Sequence, residues 1–152
     1  MRAHIAAVRE RLEELTFEGR ADGDLVYAVD VPEGVAPAFP YFLVWSSTGR
    51  LVAGSLRDDR YLDDQVGVTV VALTPEGVWS AAAKARAALD GWTPTVDGQI
   101  VQPLRLVDSQ AVQPDRDVTL PNSNRHPYFG VDLYRLVSEP DVSAPVSSSS
   151  SL

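Results

Sequence analysis

Only two stretches of this 152-residue chain carry apolar residues at helical spacing, and that scarcity limits what it can fold into. The first, about Arg2 to Leu15, sets Ile5, Val8, Leu12 and Leu15 three and four residues apart on one stripe. Arg9, Glu10, Glu13 and Glu14 fall off that stripe, and His4 is expected at the surface in the first turn. Gly19 and Asp22-Gly23-Asp24 then end the segment with turn chemistry. The second opens Thr74-Pro75-Glu76: a capping hydroxyl, a proline suited to the first helical position, and an acid at the positive end of the helix dipole. It runs through an alanine-rich stretch to Leu89, and Gly91 is placed to close it in the left-handed conformation. Trp79, Ala82, Ala83, Arg86 and Leu89 are the predicted face, and the alanines permit close approach to a sheet.

Everything else apolar is short and bounded by turn residues, which is the pattern of strands. Leu25 to Val31 is β-branched and apolar, and Pro32-Glu33-Gly34 breaks it. Tyr41 to Trp45 is a continuous apolar run suited to a buried central strand. Ser46-Ser47-Thr48-Gly49 turns the chain, and Leu51 to Leu56 returns as the second half of a hairpin. Gln65 to Leu73 alternates Val66, Val68 and Val70. Asp97-Gly98 reads as a two-residue hairpin turn between Thr95-Val96 and Gln99 to Val107, and Val131 to Val137 is the last strand. Hairpin connections with only two helices predict an α+β fold: a mostly antiparallel sheet with both helices on one face, an extended hairpin arm and a long loop. That loop, Asp108 to His126, lacks periodicity, and loops of this length inside a domain are usually functional or mobile. The predicted organisation is one domain over residues 1–138 and a flexible Pro/Ser-rich tail over 139–152.

Composition removes whole classes of chemistry. The chain has no cysteine, so thiolate metal sites, disulfides, Fe–S clusters and cysteine nucleophiles are excluded. Thirteen basic against 21 acidic residues leave a net charge of −8, which opposes non-specific binding to nucleic acid or an anionic membrane. No apolar run approaches the length of a membrane span, and the N-terminus lacks the apolar core of a signal peptide.

What remains as candidate chemistry is sparse. Asp58, Asp59, Asp63 and Asp64 bring carboxylates close enough in sequence to ligate a hard cation, but their spacing matches no calcium loop. With Arg57 and Arg60 among them, the plainer reading is a solvated arm of alternating charge. His126 shares its loop with Asp115 and Asp117, which allows a His–Asp pair, yet no nucleophile motif accompanies it. The ten glycines are scattered singly, so none builds a phosphate cradle. Trp45, Trp79 and Trp92 lack the basic surround of a nucleic-acid platform. The residues thus describe a domain working through its surfaces, not an enzyme, and needing no cofactor.

The order of these features resembles the tail terminator (tail completion) family, minor tail proteins of long-tailed bacteriophages. The similarity covers roughly residues 1–138. It rests on the opening amphipathic helix, the stretch Pro32 to Trp45 with its Pro40-Tyr41 junction, and the strand Asp64 to Ala72. The alanine-rich helix ending Ala87-Ala88-Leu89-Asp90-Gly91, the Asp97-Gly98 turn, the long loop and the closing Phe129-Gly130-Val131-Asp132-Leu133-Tyr134 complete the pattern. The resemblance implies a structural virion protein, assembled in the host cytoplasm and located at the tail–neck junction. Its form would be a ring, expected as a hexamer, that stops tail-tube growth and offers a surface for head–tail joining.

The implied partners are further copies of the chain, the major tail tube protein and a head-completion or connector protein. Genomic DNA would pass through the lumen without specific binding, which an acidic wall favours. Subunit or ring contacts are expected from the arm and the long loop, at Arg57, Asp58, Asp59, Arg60, Asp63, Asp64, Asp115, Arg116, Asp117 and Arg125. Three other readings stand beside this one: a head–tail connector or stopper protein of the neck, a small metal-dependent hydrolase using the aspartate arm or His126, and a host-side protein-binding module unrelated to phage.

Overall fold

The computed structural model describes residues 1–46 and 61–142. The chain is an α+β fold in two layers, with two helices on one face of a mixed seven-stranded sheet. Its elements are α1 (Arg2–Glu13), β1 (Val26–Ala28), β2 (Tyr41–Ser46), β3 (Leu62–Ala72), α2 (Pro75–Leu89), β4 (Gln99–Val101), β5 (Arg105–Ser109), β6 (Gln113–Pro114) and β7 (Tyr128–Pro140). The returning strand Leu51 to Leu56, with Arg57 to Arg60 of the expected arm, and most of the expected tail lie outside the described residues.

The two longest strands, β3 and β7, pair antiparallel over eleven residues and form the spine of the sheet. β2 adds to the outer edge of β3, again antiparallel, and β1 adds to β2 in parallel. Along the other edge of β7 lie three short strands in succession, with β4 on Ser138–Pro140, β5 on Asp132–Arg135 and β6 on Tyr128–Phe129. Side chains alternate between the two faces of a strand, so Phe42, Val44, Val66, Val68, Val70, Tyr134 and Leu136 share the helix side. Val8 and Leu12 of α1 and Val78, Ala81, Ala85 and Leu89 of α2 close this core, all at most 1% exposed.

α2 begins as its sequence predicts. Thr74 Oγ1 accepts from the Gly77 amide at 3.0 Å, Pro75 opens the helix, and Gly91 follows the end at φ +82°. Its buried face is rotated from the expected one. Val78, Ala81, Ala82, Ala85, Ala88 and Leu89 face inward, while Trp79 is 59% exposed and Ala83 is on the surface. The alanines define no unique stripe, and the valine, not the larger tryptophan, fits against the sheet. The helices also lock to each other: Arg11 Nε donates to the Ala88 carbonyl at 3.0 Å, and Lys84 Nζ donates to Thr16 O over the Phe17 ring.

β1 stops at Ala28 because Val29 adopts φ +68° and the Asp30 amide turns back to Ala28 O. Asp97-Gly98 does turn the chain, with Gly98 at φ +74°, but Thr95-Val96 is not a strand. β4 pairs instead with β7, to which only tertiary contact brings it. β7 is longer than predicted at both ends and includes Glu139 and Pro140. The long loop is partly sheet, since β5 ends at Ser109 and β6 follows.

His4 is the sharpest correction. It is 4% exposed, with Nε2 at 2.9 Å from Ser138 Oγ, tying α1 to the end of β7. The Ser138 hydroxyl donates onward to Gln99 Oε1, so His4 Nε2 carries the proton and donates to Ser138. Nδ1 is buried without a hydrogen-bond partner. Burial, with the N-terminal ammonium, pushes the His4 pKa below its ordinary 6.5. The unfolded chain therefore takes up this proton more readily than the folded one, and the folded state loses stability as pH falls below about 6.5. We expect the urea midpoint to drop further between about pH 7.5 and about pH 5 in the wild type than in His4→Gln. Equal slopes in the two proteins would exclude His4 as the source.

Candidate functional site

The parallel pairing of β1 with β2 shapes the surface opposite the helices. Parallel neighbours require a crossover of a dozen or so residues, usually a helix. Here the crossover is the non-helical stretch 29–40, and it runs over the helix-free face of the sheet. Arg20 anchors its far end. Nε donates to Pro40 O at 2.7 Å, Nη1 to Gly23 O at 3.0 Å, and Nη2 to Asp24 O at 2.6 Å and Ala38 O at 3.2 Å. With a longer bond from Nη1 to Ala21 O at 3.5 Å, one guanidinium holds five carbonyls of two loops, a use of its planar fork that no sequence pattern announces.

The segment 115–127 forms the facing wall. Its backbone is folded on itself: the Asp115 amide donates to Pro127 O at 2.8 Å, and the Leu120 amide to Arg125 O at 2.8 Å. Asn122 takes φ +58° at the tip, and His126 Nδ1 donates to Val118 O. His126 is therefore spent on holding this loop and makes no pair with Asp115 or Asp117. The stretch expected to be irregular is a built structure.

Between these walls lies a groove of about 710 Å³. Tyr41 and Leu43 of β2, Thr69 and Val71 of β3 and Phe129 of β7 form its floor. Pro32, Pro37, Phe39, Leu120, Pro121 and Pro127 line its sides, and the exposed valines Val35 and Val118 stand at its mouth. Every charged residue that lines it is acidic: Asp30, Glu33 and Asp115. Burial, with the Asp115 and Asp30 carboxylates nearby, pushes the Tyr41 hydroxyl up to about 12. An apolar cleft with an acidic rim suits an apolar segment that carries positive charge.

The sequence-predicted site residues do not converge on one spot. Asp115 lines the groove, while Arg116, Asp117 and Arg125 are exposed on the same loop. Asp63 stands at the start of β3, on the helix-free face, and its carboxylate accepts two bonds from Arg135, at 3.1 and 2.9 Å. Its neighbour Asp64 points to the other face and is 6% exposed, with Oδ1 accepting from the Gln65 amide. Alternation separates these two adjacent carboxylates. Arg57, Asp58, Asp59 and Arg60 lie outside the described residues. Among the described residues no cluster of three or more His, Asp or Glu side chains is arranged to hold a metal ion, and no helix is long and apolar enough to cross a membrane.

One buried ionic cluster was not foreseen. Asp132, on the helix face of β7, is 3% exposed. Arg86 of α2 clasps it bidentately, with Nε to Oδ2 at 2.7 Å and Nη2 to Oδ1 at 2.9 Å, and Ser109 of β5 donates to Oδ1 at 2.7 Å. Arg86 Nη2 also donates to Ser109 Oγ at 2.8 Å, and the ion pair holds the Arg86 guanidinium above its ordinary pKa. The cluster fastens helix to sheet. The signal was an aspartate at an inward position of an apolar strand, beside an arginine on an alanine-rich helix face.

No protein-family model matches the chain, and no curated protein does. Its fold, however, recurs in a solved structure. A chain described as belonging to the virion of a native gene transfer agent particle is 16% identical, superposes at a TM-score of 0.58, and is matched over 90% of this chain and 96% of that one. A second solved chain is 19% identical over 76% of this chain and 81% of its own, at a TM-score of 0.41.

Proposed function

We propose that the chain is a structural subunit of a phage-like virion, building the ring that ends the tail tube and joins it to the head. The observation that carries this reading is the fold shared with a chain of a gene transfer agent virion over nearly the full length of both. The surface supports it. The helix-free face carries an apolar groove with built walls, and the described polar clusters are consumed in structural bonds, as befits a protein that works by assembly. A ring of one repeated subunit needs two different, complementary surfaces that close head to tail. The net charge of −8 per copy suits a conduit that DNA must traverse without sticking.

Its partners on this reading are further copies of itself in a hexamer, the tail tube protein on one side and a head-completion protein on the other. The test is to image particles carrying the protein and particles lacking it. A ring of its density between tube and neck, together with tubes of uncontrolled length in its absence, is the expected result. Density one ring higher, with tubes of normal length, would assign it to the neck as a connector. Absence from the particle would refute the virion reading.

A further inference from the structure

The groove on the helix-free face holds three carboxylates without a cation. They stand on both walls, Asp30 and Glu33 on one and Asp115 on the other. None of the three forms an ion pair with a described basic residue, whereas Asp63 and Asp132, elsewhere on the sheet, are each clasped by an arginine. The Asp30 and Asp115 carboxylates accept one backbone amide each, from Val31 at 2.8 Å and from Asp117 at 3.2 Å. Arg116 and Arg125 belong to the same loop as Asp115 but do not line the groove. Asp30 and Asp115 both act on the Tyr41 hydroxyl, so the negative potential reaches the floor.

That floor spans three adjacent strands, β2, β3 and β7, a width of about 10 Å at the usual strand spacing. About three extended residues, at roughly 3.3 Å each, cover the same distance. Phe39, Tyr41 and Phe129 add ring surface close to the carboxylates, a setting that holds an ammonium or guanidinium by charge and by cation–π attraction. The complementary occupant is therefore a short aliphatic stretch with positive charge at its ends.

The described surface of this chain supplies no such stretch. Its exposed large apolar residues stand near carboxylates: Val29 beside Asp30, Val107 beside Asp108, Val118 beside Asp117 and Val142 beside Asp141. Val35 follows Glu33 by two residues, Glu76 lies three residues from both Leu73 and Trp79, and Ile100 faces Glu139 across the β4–β7 ladder. Presented to the groove of a second copy, each would bring like charge to like.

We infer that the groove between residues 30–39 and 115–127 receives an extended segment of a different protein, about three aliphatic residues flanked by lysine or arginine. The inference rests on the assembly reading above for where that partner stands, and it adds the chemistry by which the partner is recognised.

The probes are synthetic peptides carrying fluorescein: Gly-Lys-Leu-Val-Leu-Lys-Gly, the same core flanked by glutamate, and the lysine-flanked form with a serine core. Each is titrated with the full chain at low salt and read by anisotropy. The lysine-flanked aliphatic peptide is expected to bind at least about tenfold more tightly than either of the others, the equivalent of ~1.4 kcal/mol. Asp30→Lys with Glu33→Lys, both at exposed positions, is expected to turn the preference toward glutamate. Glu10→Lys with Glu13→Lys changes the net charge equally on exposed positions of α1, and is expected to leave the preference standing. Circular dichroism checks that each variant is folded.

Equal binding of the lysine and glutamate peptides overturns the inference, as does a preference lost as fully in the α1 variant as in the groove variant. No binding of any peptide up to about 1 mM overturns it too, since the groove is then closed to this chemistry. Self-association that the lysine peptide and the groove variant both abolish would give the groove to a second copy, again overturning it. The two proposals fail separately. A chain that discriminates the peptides as expected but is missing from particles would defeat the virion reading alone, and a tail-end ring whose subunit binds none of them would defeat this one alone.

Discussion

Arg86→Ala is expected to destabilise the fold by about 1–3 kcal/mol, read as a fall in the urea midpoint at neutral pH. The size comes from what stays behind. The Asp132 side chain is 5% exposed against 42% for Arg86, so deleting the arginine takes two charge-assisted bonds from a carboxylate that solvent then meets only through the surface cleft it lines. Of the bonds described for that carboxylate only the one from Ser109 would remain, a single hydroxyl facing a full negative charge. Arg86→Lys should fall between the two, since an ammonium keeps the charge but cannot form the paired bonds from Nε and Nη2. The decisive comparison is Arg86→Ala with Asp132→Ala together. Removing both partners takes away the stranded charge, so the double variant should be more stable than Arg86→Ala alone. A double variant that is worse would show that the cluster does not act as a pair.

Gly67→Val should cost about 3 kcal/mol, at the upper end of what overpacking usually does. Gly67 sits directly across from Trp45 in the β2–β3 ladder, and the indole lies flat over it to donate from Nε1 to Thr69 Oγ1 at 3.0 Å. A side-chain carbon at position 67 would stand 2.6 Å from Cδ2 of the indole, and closer still to Cε2 and Cζ2. The ring must leave, and its hydrogen bond to Thr69 goes with it. The accompanying sign is a red shift of tryptophan emission as the indole meets water. Combining Trp45→Leu with Gly67→Val should remove most of the penalty, because the clash needs both side chains. A full penalty in the Trp45→Leu background would place its origin elsewhere.

The candidate site was legible only in fragments. Pro32, Pro37 and Pro40 mark an extended crossover, and the uncommonly long stretch after Asp108 marks a loop worth attention. That both would stand over the same face, and close an acidic apolar groove between them, depends on β1 pairing in parallel with β2. Nothing local to either segment specifies that pairing. The expected interface residues show the same limit. Asp63 and Asp64 read as one acidic cluster along the chain, yet the pleat of β3 sends one to Arg135 at the surface and the other into the interior.

Local sequence was enough for the elements: two helices, the cap of α2, the strands β2 and β3, the core of β7 and the turns at Gly91 and Gly98. These follow from side-chain periodicity and backbone sterics, which act over a few residues and leave a local trace. Tertiary structure alone decided which face of α2 turns inward, that His4 is buried, that three short strands share one edge of β7, and that Arg86 meets Asp132. Each of those depends on partners distant in sequence. An alanine-rich helix has no single preferred stripe, and a polar side chain goes inside only where the assembled fold supplies its matching group.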